Sequence, residues 1–168
     1  MFFSEKEIHA MASGHYFGLG NAQLPNGPML MLDEITKLEI SGGLYGKGEL
    51  HANLKIHPDH WFFPCHFQGD PVMPGCLGLD ALWQLLGVFL ACSGLAGRGR
   101  ALGVGEVKFR GQIYPQAGSI EYQLDIKRVF KQPLPLGIAD GLVKHQGKAI
   151  YIAKDLRVGL IKIKSLPE

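Results

Sequence analysis

Leu77-Gly-Leu-Asp80-Ala-Leu-Trp-Gln84-Leu-Leu-Gly-Val-Phe-Leu-Ala-Cys92 decides the fold. Of these 16 residues 12 are apolar, two are glycine, and only Asp80 and Gln84 are polar. A membrane span wants about 20 apolar residues and tolerates a buried Asp poorly, so a buried helix in a globular protein is the better reading and no membrane insertion is expected. A helix apolar on every side must be surrounded. Pro74-Gly75 leads into it, and Ser93-Gly94 with Gly97 and Gly99 ends it.

The rest of the chain supplies the surround. Ser4-Glu5-Lys6-Glu7 is a capping-box pattern that opens a short helix ending near Ser13-Gly14. Residues 21–28 read as loop, and strands are predicted over Met29–Ile40 and Gly43–Leu54, joined by a hairpin at Ser41-Gly42-Gly43. Residues 57–75 are irregular and proline-punctuated. Four more strands are predicted over Leu102–Phe109, Ile120–Phe130, Leu136–Lys144 and Ala149–Ile163. The connections are too short for helical crossovers, so the strands pair antiparallel. An α+β fold follows, an antiparallel sheet curled around one long buried helix, as a single domain over residues 1–168.

Bulk properties narrow the function. The net charge of +2 gives no broad basic surface for nucleic acid. Met1-Phe2-Phe3 followed by charges is not a secretory leader. Three cysteines, Cys65, Cys76 and Cys92, make no disulfide framework, and a reduced cytoplasmic location is expected. His57, His60, Cys65, His66, Cys76 and Asp80 fall close together but match no standard zinc spacing, and no metal or cofactor is expected. Gly97-x-Gly99 and Gly103-x-Gly105 lack the spacing and context of a dinucleotide loop.

The chemistry-bearing residues lie around the long helix. Cys76, Asp80 and Gln84 recur every four positions and share one helical stripe. A carboxylate there must face a polar partner or a cavity. Taken alone, Asp80 could equally anchor a neighbouring amide or a basic side chain. His66 sits between aromatics on a packed loop, where a neutral imidazole can act as a general base. Gly75 allows close backbone approach, and the free amides of a helical first turn suit a developing oxyanion. Trp61, Phe62, Phe63, Phe67, Trp83 and Phe89 make the surroundings apolar, as a long acyl chain would require.

The run Trp61-Phe-Phe-Pro-Cys-His66-Phe-Gln-Gly-Asp-Pro-Val-Met-Pro-Gly75-Cys-Leu-Gly-Leu-Asp80-Ala-Leu-Trp-Gln84 closely resembles the 3-hydroxydecanoyl-acyl-carrier-protein dehydratase/isomerases of bacterial fatty-acid synthesis. The stretches 99–109, 137–141 and 155–159 extend the likeness over nearly the whole chain. The resemblance implies the hot-dog fold and a homodimer with two shared sites, each pairing His66 of one subunit with Asp80 of the other. It implies a 3-hydroxyacyl thioester carried on acyl carrier protein as substrate. His66 would take the C2 proton, Asp80 would assist loss of the C3 hydroxyl, the Gly75 amide would bind the thioester carbonyl, and Val72 would orient His66. Cys76 and Gln84 are expected to help line the substrate. Broader-specificity relatives carry Glu where Asp80 stands, so Asp80, with Cys76 and Trp83, points to the type that also isomerises trans-2-decenoyl to cis-3-decenoyl thioester. Whether Asp80 works as a protonated acid or holds a water stays open.

Departures from the family pattern are Pro64, Gln68 and the loop Lys131-Gln-Pro-Leu-Pro135. Lys127, Arg128, Lys131 and Arg157 are candidate contacts for the acidic carrier. Two rival functions are a hot-dog thioesterase, in which a carboxylate activates water, and a non-catalytic lipid-binding role.

Overall fold

The computed structural model describes residues 1–162. Helix α1 spans Glu5–Ala12, and the long helix α2 spans Gly75–Cys92. The strands are β1 (Glu34–Glu39), β2 (Glu49–Lys55), β3 (Arg98–Gly103), β4 (Glu106–Phe109), β5 (Ser119–Phe130), β6 (Leu136–His145) and β7 (Lys148–Ile161). They form one seven-stranded sheet in the order β1-β2-β5-β6-β7-β3, with β4 also paired to β7. Every pairing is antiparallel. This is the wrapped-helix hot-dog architecture.

The sheet curls because its ladders are interrupted. Register shifts fall at Ile35/Lys37, Ile126/Arg128, Ala139/Gly141, Val143/Lys144 and Ala101/Gly103, and each extra residue bends and twists its strand. The helix is then drawn in at β6, where Gly137, Ala139 and Gly141 alternate along one face. A Cβ on Gly137 would lie 2.9 Å from Leu86 Cδ1, and one on Gly141 2.8 Å from Leu82 Cδ1. Leu82, Leu85, Leu86, Phe89 and Leu90 are fully buried against this seat.

An all-round apolar sequence predicts a helix enclosed on every side, but the sheet leaves part of α2 uncovered. Cys76 is exposed, and Leu79, Asp80, Trp83, Gly87 and Ala91 are only half-buried. These residues recur at helical spacing, so one stripe of α2 stays open. The two polar positions border or lie on that stripe, which is how a carboxylate is accommodated on so apolar a helix.

Several strand boundaries differ from the sequence-based expectation for tertiary reasons. The segment predicted to be strand from Met29 begins instead with a 3-10 turn at Gly27–Met29 and pairs only from Glu34. Its Met29 carbonyl and Met31 amide bond the Gln84 side chain. Residues 43–48 are loop because Gly43, Gly46 and Gly48 adopt positive φ, and a Cβ at Gly48 would collide with Phe89 at 2.6 Å. The predicted strand over Leu102–Phe109 is two strands, and it starts earlier, at Arg98. They divide opposite Asp155, itself at φ 55, where the Gly105 amide turns to the Lys154 carbonyl at 2.8 Å. The predicted end of the last strand, Ile163, lies outside the described residues.

A buried carboxylate secures that break. Asp140 is 7% exposed and accepts from Tyr45 Oη at 2.6 Å, Lys154 Nζ at 3.0 Å and the Asp155 amide at 3.0 Å. Burial alone would raise its pKa, yet these donors outweigh it and hold the group below the ordinary carboxylate range. Lys127 bridges Asp155 at 2.6 Å and Asp140 at 3.5 Å. Of the four basic residues considered for carrier contact, it is therefore already engaged, whereas Arg128, Lys131 and Arg157 are exposed.

Two stability measurements follow. Gly141→Val forces a side chain into the helix seat and should lower unfolding free energy in urea by about 1–3 kcal/mol. Asp140→Ala should cost about 1–3 kcal/mol at neutral pH. Because the folded-state pKa is lowered, that difference is fully present above the unfolded-state value and should vanish as pH falls through the folded one.

Candidate active site

Pro74 caps α2 and Gly75 is its first helical residue, two positions earlier than the apolar run suggests. The amides of Gly75 and Cys76 have no acceptor among the described residues, as the first turn of a helix requires. Glycine at 75 has a packing reason. A Cβ there would lie 2.7 Å from the ring of Phe109, and one at Gly78 would lie 2.7 Å from Tyr151. Phe109 and Tyr151 pack edge to face, 4.8 Å between centroids, against this first turn. Burial pushes the Tyr151 phenol up to about 12, so it stays protonated.

His66 is half-buried on the loop before the helix. Buried Phe62 and Phe63 hold that loop to the core, Trp61 Nε1 donates to the Pro28 carbonyl at 3.1 Å, and the Met73 amide donates to Ile113 at 2.9 Å. Pro64 and Gln68, the departures within the motif, are both exposed. The imidazole stacks on Phe67 with centroids 4.0 Å apart. Its Nδ1 lies 2.7 Å from the Val72 carbonyl oxygen, and the Val72 amide donates back to the His66 carbonyl at 2.8 Å. A carbonyl can only accept, so Nδ1 carries the proton and Nε2 of the neutral ring is a free base.

Asp80 lies on the open stripe of α2. Gln84 Nε2 donates to Asp80 Oδ2 at 2.7 Å and to the Met29 carbonyl at 2.8 Å, while Gln84 Oε1 accepts from the Met31 amide at 3.2 Å. Gln84 is thus a buried bracket that ties a loop to the helix and orients the carboxylate. Asp80 Oδ1 has no partner among the described residues. Beside these two residues lies a cavity of about 380 Å³, a size suited to a small ligand. Trp83, Gly87 and Val88 continue its helical wall, the segment around Phe17 and Leu24 faces them, and exposed Arg98 and Arg100 of β3 contribute from the sheet edge.

Of the six site residues expected from sequence, the structure brings Asp80 and Gln84 together in this cavity and pairs His66 with Val72 on the loop. His66, Val72, Gly75 and Cys76 do not line the cavity of their own chain. The exposed Cys76 thiol continues the stripe toward the helix start but stops short of the cavity. Trp83, one of the aromatics expected to surround the site, is half-buried, lines the cavity and donates to the Gly103 carbonyl at 3.1 Å. Its i, i+3 spacing from Asp80 was the available signal. The cavity wall near Phe17 and Leu24 had no local signal, because only the tertiary fold carries it there.

Residues 24–154 match the family described as the FabA-like domain. Among solved structures the chain is similar to one in the dehydratase heterocomplex ApeI:P from Xenorhabdus doucetiae, with 15% identity, TM-score 0.62 and coverage of 81% of this chain and 86% of that one. It is also similar to a hypothetical thioesterase protein with coenzyme A from Streptococcus pneumoniae TIGR4, with 12% identity, TM-score 0.54 and coverage of 78% and 87%. The AziG protein of S. sahachiroi aligns with 9% identity, TM-score 0.51 and coverage of 68% and 85%. At these identities the likeness is one of fold.

The bracket is testable without any substrate. Gln84→Leu keeps the volume but leaves the Met29 carbonyl and Met31 amide without their partner, and unfolding free energy should fall by about 1–3 kcal/mol. A variant as stable as the parent would contradict the bracket.

Proposed function

The chain belongs to the FabA-like domain family, and from that premise we propose that it dehydrates 3-hydroxyacyl thioesters on acyl carrier protein to trans-2-enoyl thioesters. We infer further that it isomerises trans-2-decenoyl to cis-3-decenoyl thioester. The observation that carries the reading is the pair of oppositely prepared groups: an imidazole whose Nε2 is a free base and a carboxylate braced by Gln84 at a cavity. In the reaction, His66 Nε2 takes the proton from C2 and the C3–O bond breaks. The hydroxide leaves as water with a proton delivered at Asp80, by the carboxyl group or a water it holds; the proton gained by His66 then passes back to restore that donor. The free amides of Gly75 and Cys76 suit the thioester oxygen as it gains negative charge, helped by the helix dipole. Val72 acts through its carbonyl by fixing the imidazole tautomer. Isomerisation needs the same base to work between C2 and C4, and Asp rather than Glu at position 80 supports it through the family resemblance.

The site is completed by a second copy of the chain in this reading. His66 does not reach the Asp80 cavity of its own chain, one stripe of α2 is uncovered, and β3 and β4 form a sheet edge with no further strand beside them among the described residues. Leu102 and Phe109 on that edge are about half exposed, at 50% and 54%. Unpaired edges of this kind are covered in stable proteins. A two-fold pairing would place His66 of each copy at the other copy's Asp80.

Three assays test the proposal. Incubation with 3-hydroxydecanoyl thioester should yield the enoyl product; release of free thiol without it would instead identify a thioesterase. Supplying trans-2-decenoyl thioester should yield the cis-3 isomer, and its absence would reduce the activity to plain dehydration. His66→Ala and Asp80→Asn should each lower turnover by about 10²–10⁴-fold. Co-refolding those two variants should restore about a quarter of wild-type activity, since half of the dimers would carry one intact site. No restoration would place both groups in one subunit.

A further inference from the structure

Three glycines lie within α2, and they do not serve the same purpose. At Gly75 and Gly78 the space for a side chain is taken by Phe109 and Tyr151. At Gly87 an added Cβ would meet nothing within 4 Å, and its backbone is not among those with positive φ. Glycine inside a helix is destabilising relative to alanine, so neither packing within this chain nor conformation accounts for it at position 87. What adjoins Gly87 is the cavity.

Asp80, Gln84 and Gly87 follow one another along the cavity's helical wall, and Gly87 lies about 10 Å beyond Asp80 at the helical rise. The direction is fixed by the chemistry proposed above, on which this inference rests. The thioester carbonyl belongs at the helix start, C3 belongs at Asp80, and the remaining acyl carbons must continue toward Gly87. Ala22, Leu24, Val88 and Val158 contribute apolar walls, which suit methylenes.

We propose that Gly87 is the chain-length gauge of the site: its missing side chain is the space that admits the distal carbons of a medium-length acyl chain. A side chain at this position shortens the longest chain accepted and leaves short chains unaffected, because they end before reaching it. Gly87 touches the tail of the substrate and not the reacting atoms, so it sets specificity without taking part in the chemistry.

The test uses the full chain with Gly87→Ala and Gly87→Leu, and two readouts. Binding of saturated acyl N-acetylcysteamine thioesters, from four to twelve carbons, is read from Trp83 fluorescence in a Trp61→Phe background. Turnover of the matching 3-hydroxyacyl thioesters is measured alongside. Gly87→Ala should hold the four-carbon ligand as the parent does, while losing about tenfold affinity for the longest ligands, the effect of about two unburied methylenes. Gly87→Leu should move the cut-off to shorter chains. The Tm of Gly87→Ala should rise, because a helical glycine has been replaced without a clash. Equal loss at every length, an unchanged length profile, or dissociation of the assembly on size exclusion would overturn the proposal. Length-dependent binding without any turnover would keep the gauge and reject the dehydratase reading. Turnover with a profile insensitive to residue 87 would do the reverse.

Discussion

The close approach of α2 to β6 is the constraint on which the rest of the molecule depends. Gly137 and Gly141 remove side chains where Leu82 and Leu86 press in, and a helix brought this near can bury its leucines in the hollow of a single curled sheet. Seating the helix there determines which stripe faces away. That stripe holds Asp80, Trp83 and Gly87, and with Gln84 at its margin it becomes the wall of the cavity. The packing of the core and the placement of the carboxylate therefore have one cause.

The polar groups near the cavity are arranged at small cost. Gln84 is buried, yet both its amide protons and its oxygen have partners, so its desolvation is compensated. Asp80 receives one of those protons and remains half-exposed, which spares it the penalty of a charge in the core. His66 is prepared by a different device. A main-chain carbonyl holds Nδ1, and this leaves the opposite nitrogen unprotonated in the neutral ring. The oxidisable groups nearby are less uniform. Cys92, at the far end of the helix, is pushed up to about 11 by burial, so its thiol stays protonated, whereas Cys65 and Cys76 are exposed.

On the outer face of the sheet, Asp140 gathers Tyr45, Lys127, Lys154 and the Asp155 backbone where the edge divides into β3 and β4. The division lets one edge follow the curl of β7 instead of ending. It also directs Trp83 onto Gly103 at the end of β3, linking the edge to the helix. Lys127 is held within this cluster, and this separates it from Arg128 and Arg157, which stand exposed on either side of Ile138 in the strand register.

Much of this was legible in the sequence, because it depends on local periodicity and residue chemistry. The apolar run with two polar interruptions determined a helix inside a sheet, the alternating runs determined most of the strands, and the resemblance around His66 and Asp80 singled out the groups proposed to react. Boundaries were misjudged where distant atoms compete for the backbone. Residues 29–31 stay out of the sheet because Gln84, more than fifty positions away, takes the Met29 carbonyl and the Met31 amide. Residues 43–48 leave it because their glycines turn over Phe89 and Asp125. Only the tertiary structure decided that α2 keeps one side open, that His66 and Asp80 of one chain do not share a cavity, and that three similar helical glycines have different neighbours. Those outcomes depend on which surfaces meet across the fold, and spacing along a chain carries no record of that.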